Sequence, residues 1–204
     1  NSWAHANLGN ALLMQGDVRS SVGQLYEALN IETENANRYD EGEKYFEYLG
    51  KRMVYTKVQD NLGWAWLLKG NVKEAEKHFE AALRVDNNNP VALAHMGIAL
   101  QLQGKYPEAL DYFQRAVSIK PHDADIHVNL GATLRLQNRP VEAIEHFREA
   151  LRLMPDTVEA HYGLGMTLHQ LGREPEAMSH FQKALRLNPH FDPAEKMVRQ
   201  LKSE

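Results

Sequence analysis

Residues 96–110 read MGIALQLQGKYPEAL, a stretch with the pattern of two helices joined at Gly104. Gly97 sits inside the first of them, where a glycine costs about 1 kcal/mol relative to alanine. The chain accepts that cost repeatedly, because Gly63, Gly97, Gly131 and Gly165 follow one another at intervals of 34 residues. Twelve residues beyond each glycine stands an alanine (Ala75, Ala109, Ala143, Ala177), and four further on a phenylalanine (Phe79, Phe113, Phe147, Phe181). Three beyond that comes a second alanine (Ala82, Ala116, Ala150, Ala184). Pro121, Pro155 and Pro189 close the last three units, and Asn87 holds that place in the one before. Fixed-period self-similarity of this length specifies a stack of repeated helical hairpins, none of which can bury its apolar face alone.

The opening segment is a fifth, divergent copy. Gly9, Gly16, Ala28 and Ile31 keep the spacing, while Ser21 replaces the first alanine and Leu25 the phenylalanine. Gly9 and Gly63 are 54 residues apart, which is one period of 34 plus 20. The sequence therefore divides into a divergent repeat (1–33), an insertion (34–55), four repeats (56–89, 90–123, 124–157, 158–191) and a capping helix (192–204). The insertion predicts a loop from about 34 to 40, then a helix that runs into the second unit with a break at Gly50. It serves either as an enlarged linker whose aromatics pack on the first repeat or as a platform for a partner. The last segment, DPAEKMVRQLKSE, starts with an Asp cap and a Pro at the first helical position. Met197, Val198 and Leu201 are expected to cover the last repeat, with polar residues outward. The chain begins at NSWAHANLG already inside a helical pattern, and is read as a fragment of a longer protein.

The pattern resembles the tetratricopeptide repeat. LGNAL (8–12), LGWAW (62–66), MGIAL (96–100), LGATL (130–134) and LGMTL (164–168) carry the likeness, together with the later A-x3-F-x2-A. The resemblance implies an all-α solenoid of helix–turn–helix units in a right-handed superhelix, with a concave groove lined by the first helix of each unit. Glycine and alanine are expected to let the two helix backbones approach closely, with phenylalanine filling the gap between units.

Composition narrows the function. The formal net charge of −4 argues against a broad electrostatic grip on nucleic acid. No cysteine is present, so thiolate chemistry and a disulfide framework are excluded. No apolar run approaches the length of a membrane span. A soluble chain is expected, cytoplasmic or periplasmic, with no targeting signal. Of the ten histidines, six follow the period: His5, His127 and His161 share one place, and His78, His146 and His180 another. Such placement marks them as structural rather than metal-ligating. No H-E-x-x-H or cysteine ligand set occurs, and Gly163 and Gly165 lack the strand a dinucleotide fingerprint needs. No nucleophile, base and orienting partner are found together, so no catalytic residue, metal or cofactor is assigned and the chain is not read as an enzyme.

The resemblance places the groove at four positions of each repeat. Two before the glycine stand Asn7, Asn61, His95, Asn129 and Gly163. This set resembles the asparagine ladder of O-linked N-acetylglucosamine transferase-like arrays, whose amides both donate to and accept from an extended backbone. One, four and five after the glycine come Asn10, Leu13 and Met14; Trp64, Leu67 and Leu68; Ile98, Gln101 and Leu102; Ala132, Arg135 and Leu136; Met166, His169 and Gln170. The first three repeats thus present an apolar stripe with a tryptophan, and the last two a more polar surface. A clamp for acidic chaperone tails is not expected, because Ala6 and Asp60 stand where its first lysine belongs. The implied role is a scaffold holding a peptide or helical segment of a protein partner. Its alternatives are a recruiting arm of a larger enzyme such as a glycosyltransferase, and a self-assembly module.

Overall fold

A computed structural model describes residues 1–36 and 44–203. Among the described residues the chain is all-helical: α1 (Ser2–Met14), α2 (Val18–Ala36), α3 (Lys44–Leu68), α4 (Val72–Val85), α5 (Pro90–Leu102), α6 (Tyr106–Ile119), α7 (Ala124–Leu136), α8 (Pro140–Leu153), α9 (Val158–Gln170), α10 (Glu174–Leu187) and α11 (Asp192–Ser203). The helices fall into two compact units, Asn1–Gly104 and Lys105–Glu204. In the first, the hairpins α1/α2 and α3/α4 stack on α5, and the first helices α1, α3 and α5 lie side by side. In the second, α6 is followed by the hairpins α7/α8 and α9/α10, and α11 packs on α10.

Helix boundaries follow the local chemistry. Asn71, Asn89 and Asp123 cap α4, α5 and α7 by accepting backbone N–H groups of the first turn. Pro107, Pro140 and Pro175 stand in the first turns of α6, α8 and α10, where a missing N–H costs nothing. The turn inside a hairpin needs one residue in the left-handed region. Gly70 takes it with φ of 76°, and its N–H and that of Asn71 close a Schellman pair on Leu67 and Trp66. Asn138 occupies the equivalent place with φ of 58°, the one non-glycine with positive φ among the described residues.

The interior gives the helical glycines a specific neighbour. A Cβ on Gly63 would run into the ring of Phe79, and one on Gly165 would stand 2.7 Å from Phe181 Cε1. The missing Cβ therefore admits a phenylalanine ring onto the first helix. Phe147 seats on two glycines at once, Gly131 of its own hairpin and Gly163 of the next. Phe79, Phe113, Phe147 and Phe181 are all essentially fully buried. In the divergent copy Leu25 takes the ring's place, and a Cβ on Gly9 would lie 2.7 Å from its Cγ. Ser21, standing for an alanine, answers its own buried hydroxyl by donating to the Gly9 carbonyl at 2.7 Å.

The periodic histidines bond the two helices of a hairpin together. His5 pairs with Gln24 and His78 with Gln59, at 2.8 and 2.7 Å. In the second unit the same places hold His127 with His146 and His161 with His180, each Nδ1 to Nδ1 at 3.0 Å. Burial pushes the His78, His146, His161 and His180 imidazoles below the ordinary histidine value, and the partner histidine adds to this for His146 and His180.

The insertion departs from its expected outline. Residues 34–36 are helical, continuing α2, and α3 passes through Gly50 without a break. The rest of the expected loop lies outside the described residues.

Candidate functional site

The first unit holds a cleft of about 700 Å³. Among the described residues it is lined by Asn10 of α1, by Met53, Thr56, Lys57, Asp60 and Asn61 of α3, and by Asp86, Asn89 and Val91 where α4 passes into α5. Five of these lie on one face of α3, because spacings of three and four residues return a helix to the same side. Trp64 and Leu68 continue the stripe toward the end of the helix.

The polar groups of the cleft are held from behind. Asp60 is 7% exposed, and His95 Nδ1 lies 2.8 Å from its Oδ1. His95 in turn stacks on Trp64, with ring centroids 4.8 Å apart and an interplanar angle of 25°, and tilts against Phe79 at 5.6 Å. Lys57 donates to Asn7 Oδ1 at 3.3 Å. The Asp86 carboxylate accepts from the Asn88 N–H and the Asn89 amide, each at 3.3 Å. The Asn61 side-chain nitrogen is buried with no hydrogen-bond partner, a condition costing about 1–3 kcal/mol for a donor shut away from water.

Of the residues expected in the groove, Asn10 and Asn61 meet in this cleft. Trp64 is half-buried against His95, whereas Met14 and Leu68 are exposed, at 84% and 54%. Ile98 is half-buried. Leu13 is buried in the first unit, so it serves packing rather than a ligand. The position two before the glycine does not hold a uniform row of amides. Asn7 accepts from Lys57, Asn129 donates to the Asp125 carbonyl of its own helix at 2.9 Å, and Gly163 lies against Phe147.

In the second unit Arg135 is half-buried in the last turn of α7. His169 Nδ1 lies 2.9 Å from both carboxylate oxygens of Glu174, an intrahairpin contact that holds its ring. Gln170 donates to Asn138 at 2.8 Å. Sequence reasoning missed Met53, Thr56, Lys57, Asp86, Asn89 and Val91, and took Asp60 only as an obstacle to a lysine clamp. The signal for the α3 residues was the stripe at 53, 57, 60, 64 and 68, which continues upstream of the repeat frame.

No group of three or more His, Cys, Asp or Glu able to hold a metal ion occurs among the described residues. No helix of the described residues is long and apolar enough to cross a membrane. The cleft brings together amides, carboxylates and apolar flanks.

Tetratricopeptide repeat models match residues 61–122, 88–156 and 122–189, and a further one matches residues 2–20. The chain belongs to the tetratricopeptide repeat family. Its solved neighbours share the solenoid of stacked hairpins. YrrB, described as a TPR protein with an unusual peptide-binding site, is 21% identical with a TM-score of 0.65, over 98% of this chain and 92% of that one. MamA is 19% identical with a TM-score of 0.65, over 89% of this chain and 94% of its own. MamA 41-end from Desulfovibrio magneticus RS-1 is 20% identical with a TM-score of 0.68, over 94% and 97%. No curated protein sequence matches the chain. As a tetratricopeptide repeat protein it is a scaffold of the protein-interaction class.

Proposed function

We propose that this tetratricopeptide repeat chain holds an extended peptide segment of a protein partner along the face of α1, α3 and α5, and itself does no chemistry. The observation that carries the reading is the meeting of Asn10 and Asn61 in one cleft, one turn from Trp64 on the same helix face. An amide satisfies both the N–H and the C=O of an extended chain without reading its sequence. The buried, unpartnered nitrogen of Asn61 supplies a donor that a peptide carbonyl would answer after a turn of the side chain. Met53 and Val91 add apolar area at the polar centre, and Met14 and Leu68 are exposed at the ends of α1 and α3, apolar surface of the kind an interface anchor uses. The peptide-binding site of YrrB supports the reading by likeness of fold alone.

The test is selection of random nonapeptides displayed on nucleic acid against the folded chain, followed by titration of a recovered peptide. The native chain is compared with the Trp64→Ala, Leu68→Ser double variant, with circular dichroism showing that both are folded. Loss of at least about tenfold in affinity supports the groove. An unchanged affinity overturns it.

A further inference from the structure

We infer that the cleft of the first unit seats a lysine or arginine side chain of the bound peptide, an inference that rests on the peptide-scaffold reading above. Two carboxylates reach the cleft from different elements, Asp60 from the middle of α3 and Asp86 from the residue that ends α4. The only cation among its described lining residues is Lys57, whose ammonium reaches Asn7 Oδ1.

Asp60 is fixed before any ligand arrives. Its Oδ1 is bonded to His95, and His95 is held by stacking on Trp64 and by Phe79. A carboxylate immobilised in a concave, half-dry site attracts a cation far more strongly than a mobile surface carboxylate does. Asp86 is oriented by contacts at 3.3 Å from Asn88 and Asn89, and a carboxylate has about four acceptor positions, so capacity remains for an incoming donor.

The lining also has the shape of chemistry a long basic side chain needs. Met53 and Val91, 75% and 43% exposed, supply apolar surface for the methylene stem, while the carboxylates take the charged head. A cleft of about 700 Å³ has room for a whole side chain and the backbone beside it, which a bare metal ion would not fill. An acidic side chain would meet two like charges against the single cation, Lys57. An apolar one would strip water from Asp60 and Asp86 without replacing it, which is costly for an ionised group. The unpartnered Asn61 nitrogen lies at the same cleft, so the residue next to the basic one has a donor for its carbonyl.

The experiment is the same nonapeptide selection, run in parallel on the native chain and on the Asp60→Asn, Asp86→Asn double variant, both checked by circular dichroism. Asparagine keeps an acceptor for His95, and if the double variant does not fold, Asp86→Asn alone replaces it. The expected result is a position enriched in lysine and arginine on the native chain, with the enrichment lost on the variant. A recovered peptide should bind the variant at least about tenfold more weakly, and so should the same peptide with its basic residue changed to methionine on the native chain. Recovery of peptides without a basic position, or with one that the variant does not disturb, overturns the inference and leaves the scaffold reading standing. Recovery of no peptide at all on the native chain overturns the scaffold reading as well.

Discussion

His127 and His146 face one another Nδ1 to Nδ1 at 3.0 Å, with His127 Nε2 3.0 Å from the carbonyl of Pro121. That carbonyl only accepts, so His127 carries its proton on Nε2 and presents a bare Nδ1, and His146 donates to it. His161, His180 and Pro155 repeat the arrangement. A charge on both rings of a pair would set two N–H groups against each other.

The consequence is a loss of stability in acid. Folding holds His146 and His180 below the ordinary value of 6.5, through burial and the partner histidine. The unfolded chain therefore takes up protons first as the pH falls. The pairs stabilise fully above about 6.5 and lose their contribution as the pH drops through the lower folded values. Thermal unfolding followed by circular dichroism should show Tm falling by several degrees between about pH 8 and about pH 5. The His127→Gln, His161→Gln double variant should show a shallower fall, because it removes the neighbouring histidine charge that lowers His146 and His180 and leaves burial to act alone. Parallel pH profiles for the two proteins would contradict the assignment.

A methyl group separates two glycines of opposite kind. Gly63→Ala drives a Cβ into the Phe79 ring, whereas Gly23, within α2, has nothing within 4 Å of where its Cβ would stand. Overpacking costs roughly 1–3 kcal/mol, and helix propensity returns about 1 kcal/mol for Gly→Ala. Urea unfolding should find Gly63→Ala net destabilised, by up to about 2 kcal/mol, and Gly23→Ala stabilised by about 0.5–1 kcal/mol. Equal effects at the two sites would sink the packing explanation of the period.

Asn138 holds a place that glycine takes in the other turns. Asparagine tolerates the left-handed region, and its Oδ1 also accepts from Gln170. Asn138→Gly should stay within about 0.5 kcal/mol of the native stability, the relieved backbone offsetting the lost contact. Asn138→Val should cost about 1–2 kcal/mol, since a β-branched residue is strained at positive φ. A neutral valine variant in urea unfolding would show that the turn relaxes.

The hairpins were legible because their residues are fixed by geometry that recurs every 34 positions: the glycine that admits a ring, the ring itself, and the glycine or asparagine of the turn. The histidine pairs were visible as a period, but their bonding was not, since Gln24 and Gln59 fill equivalent places with a different residue. The cleft was half legible. Asn10 and Asn61 sit at positions the repeat frame marks, whereas Asp86, Asn89 and Val91 come from the junction of α4 and α5. Met53 lies on turns of α3 that precede the repeat frame, so a reading confined to that frame passes over it. Leu13, placed in the groove by the repeat frame, is buried, because a residue in a first helix can face the groove or the interior and a step of one residue, about 100° around the axis, decides which.

The most direct test of the account is a two-dimensional NMR titration of the isotope-labelled chain with a peptide recovered by selection. The account predicts saturable shifts of the Asn61 side-chain amide and the Trp64 indole N–H, with both following one binding curve. Saturable shifts confined to α2 and α4, with Asn61 and Trp64 unmoved, would contradict it.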